Sequence, residues 1–256
     1  MRRDWTEAIK RRIRPTVCRL LGRFGGTQYH CPVCDYKGPF LDKVVTKRPR
    51  FVRKDSKCPG CTATERHRLL HLVIERLLKG DSAAEKSVLH VAPEPFLQAR
   101  LREAFNVYHS MDLYRTDVDF QEDIQCLGFD DASYDMVVLS RVLISPKDLT
   151  ASVRECRRVL KPGGVFVVAE YYPRETTVEY PEIRGDRFRE LGVDAIDLFR
   201  EHFDEVDLYN SDRYPAEYQL YNRTFRDGVL VDDYPDLVRA PEKGLKDVVA
   251  VCRVAS

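Results

Sequence analysis

The sequence predicts an α/β fold: a mostly parallel sheet covered by helices, with its last strand antiparallel, behind a basic N-terminal helix and a small cysteine-bearing module. Three observations point there. Short apolar strands alternate with helical patterns from Ser87 onward, which favours a parallel sheet with helices on both faces. Two Cys-Pro-x-Cys pairs sit ahead of that alternation. The charge is split between the two parts, with 18 Lys+Arg against 6 Asp+Glu in residues 1–68 and 24 against 35 in the rest.

The elements follow in order. Residues 4–23 read as a basic helix interrupted at Pro15, and Gly25-Gly26 ends it, giving an N-terminal module over 1–27. Residues 28–64 are short, polar and cysteine-bearing. A strong helix runs from Glu65 to Lys79 and opens a third region, 65–256. Ser87–Ala92, Val107–Asp112, Tyr134–Ser140 and Val165–Tyr171 read as strands, with helices over Pro95–Phe105 and Leu149–Leu160 between them. Lys161-Pro162-Gly163-Gly164 reads as the turn into the last of these strands. Ala195–Phe203 is a helix, and Glu205–Tyr209 and Asp247–Val254 are the last strands. About 37 residues separate those two strands, a length that in a compact domain is functional or disordered. Tyr214, Tyr218, Tyr221, Phe225 and Tyr234 argue against disorder. The stretch 210–246 is therefore expected to be an ordered, functional insertion, a lid over a bound molecule.

The 256 residues suffice for one α/β domain and a small appendage. No stretch approaches the ~18 apolar residues that span a bilayer, and no N-terminal apolar run suits a signal peptide. A cytoplasmic protein without a transmembrane segment is the expectation. The basic head over 1–68 suits phosphates or an anionic surface, or docking on the acidic remainder.

Cys31, Cys34, Cys58 and Cys61 form the two pairs, 23 residues apart. Two such knuckles complete a tetrahedral four-thiolate zinc site, and four protein ligands leave no open position, so the zinc is expected to be structural. Asp35 and Thr62 follow the knuckles where glycine is usual. His30 and His67 flank the ligands as alternatives or as surface residues. Cys18, Cys126, Cys156 and Cys252 are scattered and read as reduced thiols.

In parallel α/β sheets the ligand lies at the carboxyl ends of the strands. The first such strand ends in Val88-Leu-His-Val-Ala-Pro-Glu94 and the second in Met111-Asp112-Leu113. Then come Asp123-Ile-Gln-Cys-Leu-Gly-Phe-Asp-Asp-Ala-Ser-Tyr-Asp135 and Arg157-Arg-Val-Leu-Lys-Pro-Gly-Gly164. These motifs resemble class I S-adenosylmethionine (SAM)-dependent methyltransferases of the type 11 group, a Rossmann-like fold, over residues 86–172. A subgroup with an N-terminal zinc ribbon is closer still, on the E-R-H-R helix start at Glu65–Arg68 and the L-H-x-A-P-E strand end at Leu89–Glu94.

The resemblance implies SAM as cofactor. Position by position, it places His90, Ala92 and Glu94 against the methionine part, and Asp112, with Leu113 beside it, at the ribose. It places Asp123 and Ile124 beside the adenine, and Ser140 and Arg141 beside the sulfonium. The residues also carry plainer readings: Asp112 as a turn residue, Asp123 as a cap, His90 as a core histidine. Two departures stand out. The usual Gly-x-Gly of the first motif is absent, and Arg141-Val-Leu-Ile-Ser145 replaces the common H-V-L-E-H.

The reaction implied is an in-line displacement of a methyl group from a sulfonium, in which alignment contributes roughly 7–11 kcal/mol in favourable cases. A hydroxyl acceptor needs a general base. Glu170, Tyr171 and Tyr172 lie at the end of the Val165–Tyr171 strand; Glu170 is the first choice, with Tyr171 beside it and Arg141 orienting an anionic acceptor. Three roles stay open on the sequence: transfer to an O or N atom of a metabolite, sugar or natural product; methylation of RNA or another nucleic acid through the basic head; and binding without turnover.

Overall fold

The structure, a computed structural model, describes residues 13–18, 20, 27–46, 51–79 and 83–256. The basic helix expected over 1–27 lies largely outside the described residues; 13–18 are helical. Along the chain come β1 (Tyr29–His30), β2 (Lys37–Gly38), β3 (Leu41–Val45), β4 (Phe51–Lys57) and α1 (Glu65–Leu78). Then follow β5 (Ser87–Val91), α2 (Pro95–Ala104), β6 (Val107–Asp112), β7 (Phe120–Gln121), β8 (Tyr134–Ser140), α3 (Leu149–Arg158) and β9 (Leu160–Glu170). The remainder holds β10 (Val178–Arg184), β11 (Arg187–Glu190), α4 (Ala195–His202), β12 (Glu205–Asn210), β13 (Tyr221–Arg226), β14 (Val229–Leu230), β15 (Arg239–Ala240), β16 (Gly244–Lys246) and β17 (Val248–Arg253).

The chain divides into two units, Met1–Leu72 with Asn210–Asp247, and Val73–Tyr209 with Val248–Ser256. The second holds a seven-stranded sheet in the order β12, β17, β9, β8, β5, β6, β7. β5 pairs in parallel with β6 and β8, and β8 with β9, while β17 runs antiparallel to β9. This is the expected sheet, with the order reversing direction between β5 and β8. The central strands are apolar on both faces: Val137, Val138, Leu139, Phe166, Val167 and Val168 are fully buried, as parallel strands covered on both sides require. Lys161-Pro162-Gly163-Gly164 is not a separate turn. It lies inside β9 as an irregularity, with Gly163 at φ +74 and the register against β8 shifting between Tyr134 and Met136.

The first unit is built differently. Its six-stranded sheet runs β15, β16, β13, β4, β3, with β14 on β13. Residues 210–246, expected as an insertion of the catalytic domain, pair into this sheet. β13 pairs with β4 through Arg223–Lys54, Thr224–Arg53, Phe225–Val52 and Arg226–Phe51. The β3–β4 hairpin leaves one edge of β4 open, and β13 satisfies its backbone groups. Two tyrosines expected over an acceptor lie inside this unit. The Tyr218 ring is 5.5 Å from that of His30, and the Tyr221 hydroxyl donates to Asp212 (2.8 Å).

Arg68 joins the pieces of this unit. It is fully buried and donates to the carbonyls of Ser56 (2.9 Å), Ala63 (2.8 Å), Tyr218 (2.9 Å) and Gln219. Its guanidinium lies 4.5 Å from the Phe40 ring centroid. Four main-chain dipoles and a ring face thus disperse a charge taken out of water.

Candidate functional site

The four cysteines come together as expected: their sulfurs lie within 4.8 Å of one another, with Cys31–Cys61 and Cys34–Cys58 both at 3.6 Å. A tetrahedral Zn–S site with bonds of about 2.3 Å has sulfur–sulfur edges of about 3.8 Å. The separations are far too long for disulfides, which need about 2.05 Å. The two knuckles repeat one geometry. Asp35 N–H donates to Cys31 O and Thr62 N–H to Cys58 O, both at 2.9 Å. Asp35 (φ 54) and Thr62 (φ 66) both adopt the left-handed conformation. The missing glycines therefore changed the residue and kept the turn. The donor set fits a structural zinc.

In the second unit a cleft of ≈ 600 Å³ opens at the carboxyl ends of β5, β6 and β8, the region where ligands of such sheets bind. Ala92, Asp112, Leu113, Asp123, Ile124 and Arg141 line it. Asp112 Oδ1 accepts from the amides of Tyr114 (2.9 Å) and Arg115 (3.0 Å), which fixes the carboxylate at the end of β6. Asp123 is held by Gln125, whose side-chain amide reaches both carboxylate oxygens (3.0 and 2.9 Å). Ser140 ends β8; its hydroxyl is buried and has no hydrogen-bond partner among the described residues.

Ala92 and Arg141 follow β5 and β8 and take φ +49 and φ +60. Alanine thus reproduces at 92 the backbone turn for which glycine is the usual choice. A cleft of this size, a carboxylate at the end of β6, an unsatisfied hydroxyl at the end of β8 and a turned loop after β5 fit a nucleoside cofactor such as SAM.

Of the other expected residues, His90 is fully buried, with Nδ1 3.1 Å from the Tyr108 hydroxyl and Nε2 3.4 Å from Glu94 Oε2. Burial pushes the Tyr108 hydroxyl up to about 12. His90 and Glu94 therefore form a polar link under the first loop, which is the geometry of a core histidine.

The recurring motif residues hold the scaffold. Arg158 donates to the carbonyls of Leu127 (2.9 Å) and Phe129 (2.8 Å) and pairs with Glu155 and Asp131, so it pins the 127–131 loop to α3. Lys161 lies 2.7 Å from Asp135, which also accepts from the Ser87 amide and hydroxyl. Burial opposes ionisation of Asp135, but Lys161 and Ser87 together hold it below the usual carboxylate range. Asp135 thus ties the starts of β5, β8 and β9, at the opposite end of the strands from the cleft.

The far wall of the cleft was not expected. Ile183, Gly185, Asp186 and Phe188, from the β10–β11 hairpin, face Arg141, Val142, Ser145, Pro146 and Lys147. Arg189, 1% exposed, joins hairpin and loop. It donates to the carbonyls of Leu143 (2.9 Å), Pro146 (2.5 Å) and Lys147 (2.8 Å) and pairs with Glu179 (2.6 Å). Glu122, Gln125 and Tyr114 also line the cleft without having been singled out. The turn Gly185-Asp186 was the available signal for the hairpin, since glycine opening a two-residue loop marks a tight hairpin.

Glu170 stands differently from its expected place. It is 3% exposed, and its Oε1 accepts from the amides of Val142 (2.7 Å) and Leu143 (2.9 Å). An oxygen already holding two amides suits a clamp on the loop after β8 rather than a base waiting for a proton. Tyr171 lies with its ring centroid 4.9 Å from the Arg141 guanidinium, so its part is to steady that side chain.

Residues 81–168 match the sequence profile of a methyltransferase domain family, the type 11 group. A polyketide synthase-nonribosomal peptide synthetase of Aspergillus clavatus is 29% identical over 120 residues, covering 43% of this chain and 3% of that protein. A hybrid synthetase of the same kind from Xenoacremonium sinensis is 30% identical over 139 residues, covering 54% of this chain and 3% of that protein. The chain thus spans only a small part of the length of these relatives. The N-methyltransferase NodS of Bradyrhizobium japonicum, solved with S-adenosyl-L-homocysteine, is 15% identical, covers 75% of this chain and 88% of that one, and superposes with a TM-score of 0.47. No described helix is long and apolar enough to cross a membrane. Residues 81–168 thus match a methyltransferase domain family, within a sheet whose strand order and switch-point cleft suit a class I methyltransferase fold, and the chain also carries a cysteine cluster that fits a zinc ribbon.

Proposed function

We propose that the chain transfers a methyl group from SAM to an O or N atom of a small molecule, a metabolite, sugar or natural product, and that Cys31, Cys34, Cys58 and Cys61 hold a structural zinc. The observation that carries the acceptor reading is the far wall of the cleft. Ile183 and Phe188 offer apolar surface opposite Arg141 and Lys147, which suits a compact acceptor with an apolar body and a polar or anionic group. The large relatives named above are polyketide–peptide synthetases, and this agrees with a natural-product acceptor.

When bound, SAM supplies a methyl group already activated on a sulfonium. The residues of this chain have the tasks of binding and alignment. Asp112 would hold the ribose hydroxyls and Ile124 would pack beside the adenine. Ser140 would offer its hydroxyl at the end of β8, and Arg141, steadied by Tyr171, would orient the acceptor. Glu170 and Arg189 fix the 142–147 loop from its amide and carbonyl sides.

Calorimetry on Asp112→Ala tests the cofactor site. Loss of charge-assisted hydrogen bonds of roughly 1.5–3 kcal/mol predicts a drop in SAM affinity of about 10- to 150-fold. Unchanged affinity would show the ribose site to be elsewhere. Incubation of the wild type with methyl-labelled SAM and a small-molecule cell extract should put label in the low-mass fraction. SAM binding with no labelled product in any fraction would overturn transfer.

A further inference from the structure

The β3–β4 hairpin of the first unit distributes its charges unevenly between its faces. Successive residues of a strand point to opposite sides. On one side Asp42 and Lys54 form an ion pair at 2.7 Å. On the other, Lys43 and Arg53 are direct cross-strand partners in the ladder. Like charges directly opposite one another destabilise a sheet, so this arrangement does not serve the fold.

Two more cations join them. Lys57 ends β4, and Arg66 lies in the first turn of α1, where the helix dipole disfavours positive charge. Half-burial, and after it the charges of Arg53, Lys57 and Arg66, hold the Lys43 ammonium below the usual lysine range, with Glu65 acting against them. Glu65 itself is 1% exposed and cannot meet a ligand at the surface.

None of Lys43, Arg53, Lys57 and Arg66 makes an ion pair among the described residues. Arg53 Nε is buried without a hydrogen-bond partner among the same residues. Two other cations of this unit are paired: Arg223 with Asp55 at 2.9 Å and Lys246 with Asp212 at 3.0 Å. One rung along the same face from Lys43–Arg53 lies the Val45–Phe51 pair, and the Phe51 ring centroid is 6.0 Å from the Arg53 guanidinium.

We propose that the Lys43–Arg53–Lys57–Arg66 face is a binding surface for single-stranded nucleic acid. Several cations on one sheet face match backbone phosphates, and an aromatic ring among them offers a base a stacking surface. A phosphate would also relieve the repulsion between the paired cations. The surface is independent of methyl transfer and is tested without SAM, so its failure leaves the proposed reaction untouched.

The probe is a fluorescein-labelled oligouridylate of about 16 nucleotides, titrated with the full chain by anisotropy across a salt series. Each phosphate contact contributes about −0.7 to the slope of log affinity against log salt for single strands. Four contacts predict a slope of about −3 or steeper, or a roughly 50-fold loss between 50 and 200 mM salt. Lys43→Ala with Arg53→Ala should flatten the slope by about 1.4, while Lys54→Ala on the paired face should not change it. One zinc per chain and unchanged circular dichroism would certify the folded variants. If the double variant does not fold, Lys43→Gln and Arg53→Gln singly should each flatten the slope by about 0.7, and Lys43→Arg should restore it. Absence of oligonucleotide binding at 50 mM salt would overturn the proposal, as would an unchanged slope in folded variants. So would an effect of these variants on binding to phosphatidylserine vesicles alone, which would make the face a membrane contact.

Discussion

Each unit of this chain is closed by a buried arginine, and the two arginines solve the same problem in different surroundings. Arg68 spreads its charge over four main-chain carbonyls, two of them about 150 residues away in sequence. It stitches a discontinuous module together. Arg189 reaches three carbonyls 42 to 46 residues away and one carboxylate, Glu179, which is 57% exposed. It shapes one wall of a cleft. Around Arg68 carbonyl dipoles act together with the negative charges of Glu65 and the cysteines, while a half-exposed carboxylate serves Arg189 where a cleft meets water. The units also share a second device, a pair of non-glycine residues in the left-handed conformation: Asp35 and Thr62 at the knuckles, Ala92 and Arg141 at the cleft.

The largest test of the separation between the units is loss of the metal. Structural zinc can contribute roughly 10–16 kcal/mol to folding. Cys58→Ser should release it, and hydrogen exchange should then accelerate in β3, β4 and β13 while β5, β8 and β9 stay protected and SAM still binds. Equal loss of protection in both sets of strands would show that the two units do not fold independently.

Next come the arginines. Arg68→Ala leaves buried carbonyls unmet and should destabilise the first unit by about 3–5 kcal/mol. Arg189→Ala should cost less, about 2–3 kcal/mol, because the cleft edge admits water to the freed carbonyls. Its effect should be local, with faster exchange at 142–147 and 187–190 and less than a tenfold change in SAM affinity. Lysine should rescue neither, since an ammonium cannot reach several carbonyls in a fork. Equal losses measured by denaturant titration would erase the distinction drawn between the two surroundings.

The sequence carried the second unit well because its signals are local. Each apolar run from Ser87 to Glu170 is bounded by turns, and the strand ends place Asp112 and Arg141 at the cleft without further information. The cysteine spacing likewise placed all four sulfurs. What escaped is what depends on distant pairing. β13 finds β4 across more than 160 residues, and no periodicity announces its partner. Asp227-Gly228, with φ 50 and 83, is the dipeptide that favours a type I′ hairpin, and it marked β13–β14 as strands of a sheet. Five nearby aromatics suggested a lid instead. The same holds at Glu170. A strand end predicts which residue reaches the loop region, but not that two amides of the neighbouring loop will already occupy its oxygen.

The smallest effect concerns the left-handed residues. An L-residue there is strained by roughly 1–2 kcal/mol, because Cβ crowds the backbone. Glycine relieves the strain but adds freedom to the unfolded chain worth about 0.5–1 kcal/mol. The net gain from glycine is therefore about 0–1.5 kcal/mol for Ala92. Thr62 is β-branched and more strained at the same φ, so Thr62→Gly should stabilise its unit more than Ala92→Gly stabilises the cleft. At the cleft the backbone turn is already made by alanine, so Ala92→Gly should leave SAM affinity within about twofold, less than 0.5 kcal/mol. Melting temperature and calorimetry on the two variants measure both quantities. A marked gain in affinity with Ala92→Gly would mean that the Cβ of Ala92 stands in the cofactor's way, and that the lost Gly-x-Gly reduced binding instead of merely being replaced by an equivalent turn.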